Sequence, residues 1–550
     1  MTIQKITVGE LAVRFLEACG VKAAFGVISI HNMPILDAFN ARARIRFVSA
    51  RGEAGACNMA DAYARVTGTL GACVTSTGTG AGNAAGALIE ALSAGTPLLH
   101  LTGQIESEYL DRDLGYIHEA PAQVAMLQAV GKAAFRIRNV ETALATLREA
   151  VRIAQTPPCG PVSIEIPIDI QGSLLDPPND IAPFAVPPVQ PDAGAVKALA
   201  DRLSTAKRPL LWLGGGARGA GDAVQRFVKM GWGIVTSVQG RGIVAEDHPA
   251  TLGAFNLQKP TEAFYETCDA MLVVGSRLRS NETLTYKLNL PTALYRIDAN
   301  ALAQNRAYRS ALFVQGDAGV TLHALADLLE GKSAVAPALQ ADLKQARAAA
   351  EVAVDSTLAQ YLKLKNTLNA QVDGHCWWVR DITLSNTMWG NRSLLIDHPR
   401  AGVHALGGGI GQGLAMGVGA AIANATHELG RKTVVLAGDG GLMLNIGELA
   451  CAAQERADLV LLVMNDRGYG VIKNIQDAVY GGRRCYVELR TPDFAKLCES
   501  LGVPHLHLRD PAQAQDVLAR AMDTAGPVMV EVDMNAWGPF AVHFAGPPKR

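Results

Sequence analysis

Two aspartates, Asp439 and Asp466, follow two apolar runs and have the residue type and spacing to bind a divalent cation. The first run, residues 433–437, ends in GDG, and the second, residues 459–464, ends in NDRGYG. A helical segment separates them, which predicts two parallel strands whose carboxyl ends, and so both aspartates, lie side by side at one sheet edge. Carboxylates beside glycines suit Mg²⁺ that bridges to phosphate, because Mg²⁺ takes oxygen ligands and glycine lets the backbone approach an anion. The alternative is an ordinary βαβ unit with Asp-Gly turns.

A third acidic residue, Glu53, precedes a predicted helix of small and apolar residues near the start of the chain. The segment 51–65 reads RGEAGACNMADAYAR. A carboxyl at the mouth of such a helix would be poorly solvated, which is the environment that a proton donor to a heterocycle needs. The alternative is an exposed glutamate in a first helical turn, where the helix dipole favours an acid.

Both segments resemble motifs of thiamine-diphosphate-dependent enzymes. The metal and diphosphate motif of that family begins with GDG and ends, at about this spacing, with Asn-Asn. The resemblance implies that Asp439, Asp466 and the backbone carbonyl of Gly468 bind Mg²⁺. It also assigns these residues to cofactor binding: Gly438, Gly440, Gly441, Tyr469 and Gly470. One departure is that Asp466 stands in place of the second asparagine, which adds a negative charge beside a diphosphate.

The segment around Glu53 is similar to the family's catalytic-glutamate helix, RHExxAxxMAxGYAR, with Gly52 in place of the usual histidine. The resemblance implies that Glu53 bonds N1′ of the aminopyrimidine and so favours the 4′-imino form, which removes the C2 proton of the thiazolium. In HALGGGIGQG, residues 404–413, Ile410 stands at the place of a bulky apolar residue that bends the cofactor into a V shape. The Gly408 carbonyl would accept a hydrogen bond from the 4′-amino group.

Several residues are assigned by the resemblance to the substrate side of the site. Ser76 begins a glycine-rich turn, STGTGAGN, that resembles the family's SGPGxxN loop, and Ile30 and His31 follow the first predicted strand. His31 and His118 suit proton transfer or substrate binding, since a neutral imidazole near pH 7 can exchange protons. Surface or structural histidines are the alternative. Ile472 stands where decarboxylases that release a proton carry a glutamate and where ligating members carry an apolar residue.

The charged residues of the chain are balanced and dispersed. There are 50 basic and 51 acidic residues without a basic stripe, which disfavours a nucleic-acid partner. Nine cysteines without CxxC or CxxH spacing disfavour a disulfide framework or a zinc site. Lys473, Arg483 and Arg484 lie near enough in sequence to bind a substrate carboxylate, but surface charge is the preferred interpretation.

The fold class follows from short apolar strands that alternate with helical stretches. We predict an α/β protein of three domains, each a mostly parallel sheet flanked by helices. A pyrimidine-binding domain is placed at residues 1–180, a central Rossmann-like domain at 190–345, and a diphosphate- and Mg²⁺-binding domain at 370–550. The central domain has glycine turns after strands but no GxGxxG, which disfavours an NAD(P)-dependent dehydrogenase. By resemblance it holds FAD, ADP or no ligand, and these alternatives stay open.

The resemblance covers nearly the whole chain and is acetolactate synthase-like. It implies a carbon–carbon ligase or lyase, dependent on thiamine diphosphate and Mg²⁺, that acts on 2-oxo acids or 2-hydroxy ketones. The alternatives are cleavage of a diketone or acyloin, as in benzaldehyde lyase or cyclohexane-1,2-dione hydrolase, an oxidase that uses FAD and oxygen, and a catalytically silent, cofactor-binding partner subunit. Because the family pairs the glutamate of one subunit with the diphosphate domain of another, we expect a homodimer or homotetramer with active sites at subunit interfaces.

The predicted location is the cytoplasm. The amino terminus lacks the apolar block and cleavage site of a signal peptide. Only the run 405–425 approaches the length of a membrane span, and seven of its residues are glycine. A buried loop and helix are therefore expected there.

Overall fold

The computed structural model describes residues 4–546, whose elements follow a repeated βα pattern. The amino-terminal domain consists of β1 (Ile6–Thr7), α1 (Val8–Ala18), β2 (Ala23–Gly26), α2 (Met33–Arg42), β3 (Arg46–Ser49), α3 (Glu53–Thr67), β4 (Gly71–Thr75), α4 (Thr79–Ala94), β5 (Leu98–Gln104), α5 (Gln123–Val130), β6 (Ala133–Arg136), α6 (Ala143–Gln155), β7 (Pro161–Pro167), α7 (Ile168–Gly172) and β8 (Leu174–Leu175). The central domain consists of α8 (Ala193–Leu203), β9 (Pro209–Leu213), α9 (Gly221–Lys229), β10 (Gly233–Thr236), β11 (Thr251–Gly253), α10 (Lys259–Glu266), β12 (Ala270–Val274), β13 (Leu294–Asp298), β14 (Leu312–Gln315), α11 (Ala318–Leu329) and α12 (Ala338–Asp355).

The carboxy-terminal domain carries the aspartate motif. It consists of α13 (Tyr361–Val372), β15 (Cys376–Arg380), β16 (Gly402–His404), α14 (Gly413–His427), β17 (Lys432–Gly438), α15 (Asp439–Leu442), α16 (Glu448–Gln454), β18 (Leu459–Asn465), α17 (Gly470–Tyr480), α18 (Phe494–Ser500), β19 (His505–Leu508), α19 (Ala514–Asp523), β20 (Val528–Asp533) and α20 (Met534–Trp537). The proline-rich segment 181–192 before the central domain has neither helix nor strand. The exact domain boundaries stay predictions, and the outermost residues of the first and last predicted domains lie outside the described part of the chain.

Each domain is built on one six-stranded sheet, and the two outer domains share a topology. The strand order is β3-β2-β4-β5-β7-β6 in the first sheet and β16-β15-β17-β18-β20-β19 in the last, so both read 2-1-3-4-6-5 when the six strands of each sheet are numbered along the chain. The central order, β11-β10-β9-β12-β13-β14, reads 3-2-1-4-5-6, which is the order of dinucleotide-binding sheets. All pairings within the three sheets are parallel, which confirms the predicted α/β class.

The outer domains pack against each other through α3 and α14. Both helices are rich in small residues and almost wholly buried. They approach so closely that a Cβ at Gly419 would overlap the Met59 carbonyl. The apolar run 405–425 forms a loop and most of the 15-residue helix α14. Within residues 4–546, no helix combines the length and apolar character needed to cross a bilayer.

Candidate active site

The two motif aspartates meet at the carboxyl ends of β17 and β18, which pair directly. Asp439 is fully buried, and its carboxylate accepts hydrogen bonds from the backbone N–H groups of Asp466 (3.3 Å) and Gly468 (3.0 Å). The Asp466 side chain is 21% exposed. Continuous apolar runs form these strands because a parallel sheet covered on both faces buries every side chain. The loops after neighbouring parallel strands then meet at one edge.

The electrostatics of this pair fit a hard cation. Burial, and then the neighbouring Asp466, raise the pKa of Asp439 to about 7, and burial raises the pKa of Asp466. Two carboxylates in one site are costly to ionise together, and a divalent cation would remove that cost. No group of three or more His, Cys, Asp or Glu side chains forms a ligand cluster anywhere in residues 4–546. The possible metal ligands at this edge are two carboxylates and the Gly468 carbonyl. This all-oxygen set suits Mg²⁺ when phosphate oxygens complete its coordination shell.

The glycines of the motif make room for close contacts. A Cβ at Gly440 would lie 2.9 Å from the Gly468 carbonyl oxygen, and a Cβ at Gly470 would overlap the Asp466 carboxylate. Gly441 lies against the neighbouring loop, where a Cβ would lie 3.2 Å from a backbone nitrogen. A larger residue at Gly440 or Gly470 would therefore press on the Gly468 carbonyl or the Asp466 carboxylate, and one at Gly441 would press on the neighbouring loop.

Gly438 and Tyr469 lie at the two ends of the motif. Gly438 ends β17, and a Cβ there would meet only ordinary van der Waals contacts, so packing does not explain this glycine. Tyr469 precedes α17, and its N–H donates to the Val487 carbonyl (3.0 Å). Its ring edge lies beside Gly440.

Lys473 is buried against the same loop, so the expectation that it is a surface charge is wrong. It is 8% exposed, and its Nζ donates to the Asp466 carbonyl (2.9 Å). The helix α17, which begins three residues earlier, turns the side chain back over the loop. Arg483 and Arg484 are exposed, and Arg484 pairs with Asp477, as expected for surface charges.

The glycine-rich loop after β16 presents Ile410 toward open space. Gly408 has a φ of +84°, a left-handed conformation that glycine adopts without strain. The buried carboxylate of Asp381 accepts hydrogen bonds from the N–H groups of Gly411 (3.0 Å) and Gly413 (3.2 Å). The Ile410 side chain is 38% exposed and therefore available to a ligand.

Glu53 is the first residue of α3 and is half-buried. Its carboxylate accepts a hydrogen bond from Asn83 Nδ2 (3.2 Å). A Cβ at Gly80 would lie 2.8 Å from Glu53 Oε1 and 2.7 Å from Ser76 Cβ, so the glycine-rich turn packs directly on the glutamate. The structure thus brings Glu53 and Ser76 together at the carboxyl edge of the first sheet.

A buried glutamate that the sequence did not reveal fixes the backbone just before Glu53. Glu448, at the start of α16, accepts hydrogen bonds from the N–H groups of Arg51 (3.1 Å) and Gly52 (3.0 Å). Burial raises the pKa of Glu448. A Cβ at Gly55 would overlap its carboxylate, so a side chain there would break the arrangement. The orientation of Glu53 therefore depends on the carboxy-terminal domain.

Glu90, on α4 of the amino-terminal domain, makes the equivalent contact with a loop of the carboxy-terminal domain. It accepts hydrogen bonds from the N–H groups of Leu406 (2.7 Å) and Gly407 (2.5 Å), the residues that precede Gly408. Arg65 neutralises it at 2.8 Å in a fully buried ion pair. In each outer domain the glutamate lies on a helix between the third and fourth strands of the six-stranded sheet, and it holds the loop after the second strand of the other domain's sheet. The partners are more than 300 residues apart, so no local sequence pattern could have predicted them.

The two histidines lie together. The rings of His31 and His118 are 5.2 Å apart in an edge-to-face arrangement, and His31 is 5% exposed. Burial, and then the neighbouring His118, lower the pKa of His31, so its imidazole is neutral near pH 7. Its Nδ1 is buried without a hydrogen-bond partner in the described part of the chain. Ile30 and Ile472 are 62% and 45% exposed, which leaves both open to a ligand or another subunit.

The central domain has a separate cavity of about 370 Å³ at the carboxyl ends of β9, β12 and β13. Its walls include Gly216, Gly275 and Asp298. Seven arginines also line it: Arg65, Arg218, Arg277, Arg279, Arg296, Arg306 and Arg400. A concave site at the strand-order reversal of such a sheet, rich in positive charge, suits a ligand with phosphate groups.

Family models match three parts of the chain. Residues 6–126 match the N-terminal TPP binding domain of thiamine pyrophosphate enzymes, residues 196–325 match their central domain, and residues 385–532 match their C-terminal TPP binding domain. The Glu53 segment lies in the first match, and both aspartates lie in the last.

Individual relatives match over nearly their whole length. A probable 2-ketoarginine decarboxylase of Pseudomonas aeruginosa is 30% identical over 96% of this chain and 94% of the relative. The large subunit of acetolactate synthase isozyme 1 of Escherichia coli is 26% identical over 97% of this chain and 95% of the relative. A probable acetolactate synthase large subunit of Methanocaldococcus jannaschii is 28% identical over 95% and 91%. The resemblance inferred from the motifs is confirmed: the chain belongs to the thiamine pyrophosphate enzyme family.

Proposed function

We propose that the protein is an enzyme dependent on thiamine diphosphate and Mg²⁺ that forms or breaks a carbon–carbon bond in a 2-oxo acid or 2-hydroxy ketone. The observation that carries the proposal is the pair of neighbouring carboxylates, Asp439 and Asp466, at the edge of a domain that matches a TPP binding domain. Glu53 adds the proton-carrying group that a silent partner subunit would not need.

Each site residue has one task in this proposal. Thiamine diphosphate, when bound, supplies a nucleophilic C2 carbon that adds to a substrate carbonyl. Asp439, Asp466 and the Gly468 carbonyl would hold Mg²⁺ against the diphosphate. Glu53 would hold a proton at N1′ of the pyrimidine. Ile410 would pack between the two cofactor rings, and the neighbouring Gly408 carbonyl would accept from the 4′-amino group.

The site is proposed to form between two subunits. In residues 4–546 of a single chain, no hydrogen bond joins Glu53 to Ile410, Asp439 or Asp466. Large apolar side chains are exposed near both halves of the site, including Ile30 at 62%. Exposed apolar groups of this kind are commonly covered by another subunit. A homodimer or homotetramer would cover them and complete two sites per pair of chains.

Three reactions remain candidates, each with its own support. Ile472 favours ligation or cleavage, because no acid stands at that position to protonate an intermediate. The neighbouring rings of the buried His31 and the exposed His118 favour cleavage of an acyloin or diketone, since an imidazole can move protons. Decarboxylation of a 2-oxo acid is a further candidate because one relative is described as a probable 2-ketoarginine decarboxylase.

A substrate panel tests these candidates. Purified protein with thiamine diphosphate and Mg²⁺ would be incubated with pyruvate, a guanidino-bearing 2-oxo acid, benzoin-type ketones and cyclic 1,2-diketones. Acetolactate would indicate ligation, carbon dioxide with an aldehyde would indicate decarboxylation, and two smaller carbonyl products would indicate cleavage. Absence of any product, with hydrogen exchange at cofactor C2 no faster than in free solution, would indicate a silent subunit. The predicted cytoplasmic location would be examined separately by fractionation.

Glu448→Gln is expected to lower turnover about tenfold while cofactor affinity stays nearly unchanged, because hydrogen bonds from two amides to a charged acceptor are weakened. The change acts on the backbone before Glu53 and does not touch the metal loop. Turnover and cofactor affinity would be measured on the same preparation. Gln454→Ala is the control, since it removes only exposed side-chain hydrogen bonds with Arg51 and Glu455. Equal turnover in both variants would contradict a positioning role for Glu448.

The central cavity is proposed to bind a ligand with an ADP moiety, as FAD or as ADP itself. The 3-2-1-4-5-6 strand order and the arginine lining support this class of ligand. With thiamine diphosphate and Mg²⁺ saturating, ADP at about 100 times its dissociation constant is expected to stabilise the fold by about 2.7 kcal/mol. Thermal unfolding checks this, and the visible spectrum of the purified protein would show whether flavin is present. If ADP did not raise the unfolding temperature and the protein showed no flavin absorption, the proposal that this cavity binds an ADP-containing ligand would be wrong.

A further inference from the structure

Asp466 brings a negative charge to a place that is neutral in the family motif. The carboxylate of Asp439 already accepts a hydrogen bond from the Asp466 N–H, so the two acids share one small site. The cofactor diphosphate would add more negative charge at the same edge. A single Mg²⁺ offsets only part of this total, so the extra carboxylate should weaken cofactor binding unless another cation compensates for it.

Lys473 provides a positive charge at this point. Its Nζ lies 2.9 Å from the Asp466 carbonyl, 3.4 Å from the Arg467 carbonyl and 3.9 Å from the Asp466 carboxylate. A Cβ at Gly468 would lie 2.5 Å from this Nζ, so the glycine leaves the space that the lysine fills. Lysine is seldom buried to 8% exposure without a charged partner nearby.

Two other charged side chains lie near Lys473 and Asp466, and both are exposed. Glu488 Oε2 lies 3.3 Å from Lys473 Nζ, but the Glu488 side chain is 67% exposed, so solvent screens its attraction. Arg484 is exposed and held by Asp477 at 2.7 Å. Lys473 therefore directs its charge mainly at the metal loop.

We propose that Lys473 is a positioning residue that offsets the charge of Asp466, so that an aspartate can serve in the Mg²⁺–diphosphate site. The proposal rests on the proposed function. It concerns two residues of this chain and predicts that the roles of Lys473 and Asp466 are coupled. Removal of the lysine alone should harm the site, and removal of both charges should not.

A double-mutant cycle tests the coupling. Wild type, Lys473→Met, Asp466→Asn and the double variant would be titrated with thiamine diphosphate at fixed Mg²⁺, with binding followed by calorimetry. Lys473→Met is expected to bind roughly 10–100-fold more weakly, as for other residues that support metal ligands. The double variant is expected to lie within about twofold of Asp466→Asn. Full affinity in Lys473→Met, or a double variant as weak as Lys473→Met, would overturn the proposal.

Two controls separate charge from folding. Arg484→Met removes a neighbouring exposed positive charge and is expected to leave affinity within about twofold, as surface charges contribute little. Circular dichroism and thermal unfolding would establish that Lys473→Met is folded, and rescue by Asp466→Asn in the double variant would exclude a purely structural loss. If the wild-type protein itself failed to bind thiamine diphosphate with Mg²⁺, the proposed function would fall together with this proposal. If the wild type bound and Lys473→Met bound equally well, only the role of Lys473 would fall.

Discussion

Glu53→Gln is expected to lower turnover at least about 100-fold while thiamine diphosphate and Mg²⁺ still bind. Glutamine keeps the size of the side chain and an oxygen that can accept from Asn83, which lies 3.2 Å from the Glu53 carboxylate. It cannot hold an ionisable proton at N1′ of the pyrimidine. Positioned acid–base groups contribute roughly 10²–10⁴-fold to rate, so kcat should fall by at least about 100-fold. Steady-state kinetics with an active substrate, and calorimetric titration of the cofactor, measure the two quantities.

The control for this variant is Glu141→Gln, the same change at an exposed glutamate of the same domain. It should have wild-type kinetics. Retention of most activity in Glu53→Gln would remove Glu53 from the catalytic machinery. A loss of cofactor binding that matched the loss of kcat would show that Glu53 acts in binding and not in proton transfer.

A heterodimer of one Glu53→Gln chain and one Asp439→Ala chain is expected to have about half of the wild-type activity, although each parent homodimer is inactive. If Glu53 of one subunit serves the metal loop of the other, such a heterodimer has one intact site and one site with both changes. Asp439→Ala removes a fully buried carboxylate that contacts the amides of Asp466 and Gly468, so its homodimer should bind Mg²⁺ and cofactor poorly. Coexpression of chains with two different tags and sequential purification would isolate the heterodimer.

The controls are the two parent homodimers, carried through the same purification with both tags. Activity above the parents in proportion to heterodimer content supports a shared site. An inactive heterodimer would place Glu53 and Asp439 in the site of one chain and would contradict the proposed arrangement between subunits.

The strands and the aspartate pair could be predicted from sequence because their signals are local. Buried parallel strands appear as continuous apolar runs, and the predicted strands 433–437 and 459–464 lie within β17 and β18. The adjacency of Asp439 and Asp466 followed from the right-handed βαβ connection, in which successive strand ends meet at one edge. The recognised family then supplied roles for Glu53 and Ile410, which composition and spacing alone would have left open.

Other parts of the site depend on contacts that the sequence does not encode locally. A lysine seven residues after Asp466 has the pattern of a surface charge, and only the direction of α17 brings Lys473 onto the loop. Glu448 and Glu90 act on backbone amides of another domain, and any residue could supply those amides. These glutamates connect the two halves of the fold that position Glu53 and Gly408.

Hydrogen exchange at C2 of bound thiamine diphosphate tests the central claim most directly. The wild-type protein with cofactor and Mg²⁺ would be mixed with deuterium oxide, quenched in acid after set times, and analysed by nuclear magnetic resonance. A site in which Glu53 and the Asp439–Asp466 edge act on one cofactor should accelerate exchange at least about 100-fold over free cofactor. Exchange at the rate of free cofactor, with the cofactor shown to be bound, would contradict a catalytic thiamine diphosphate site in this protein.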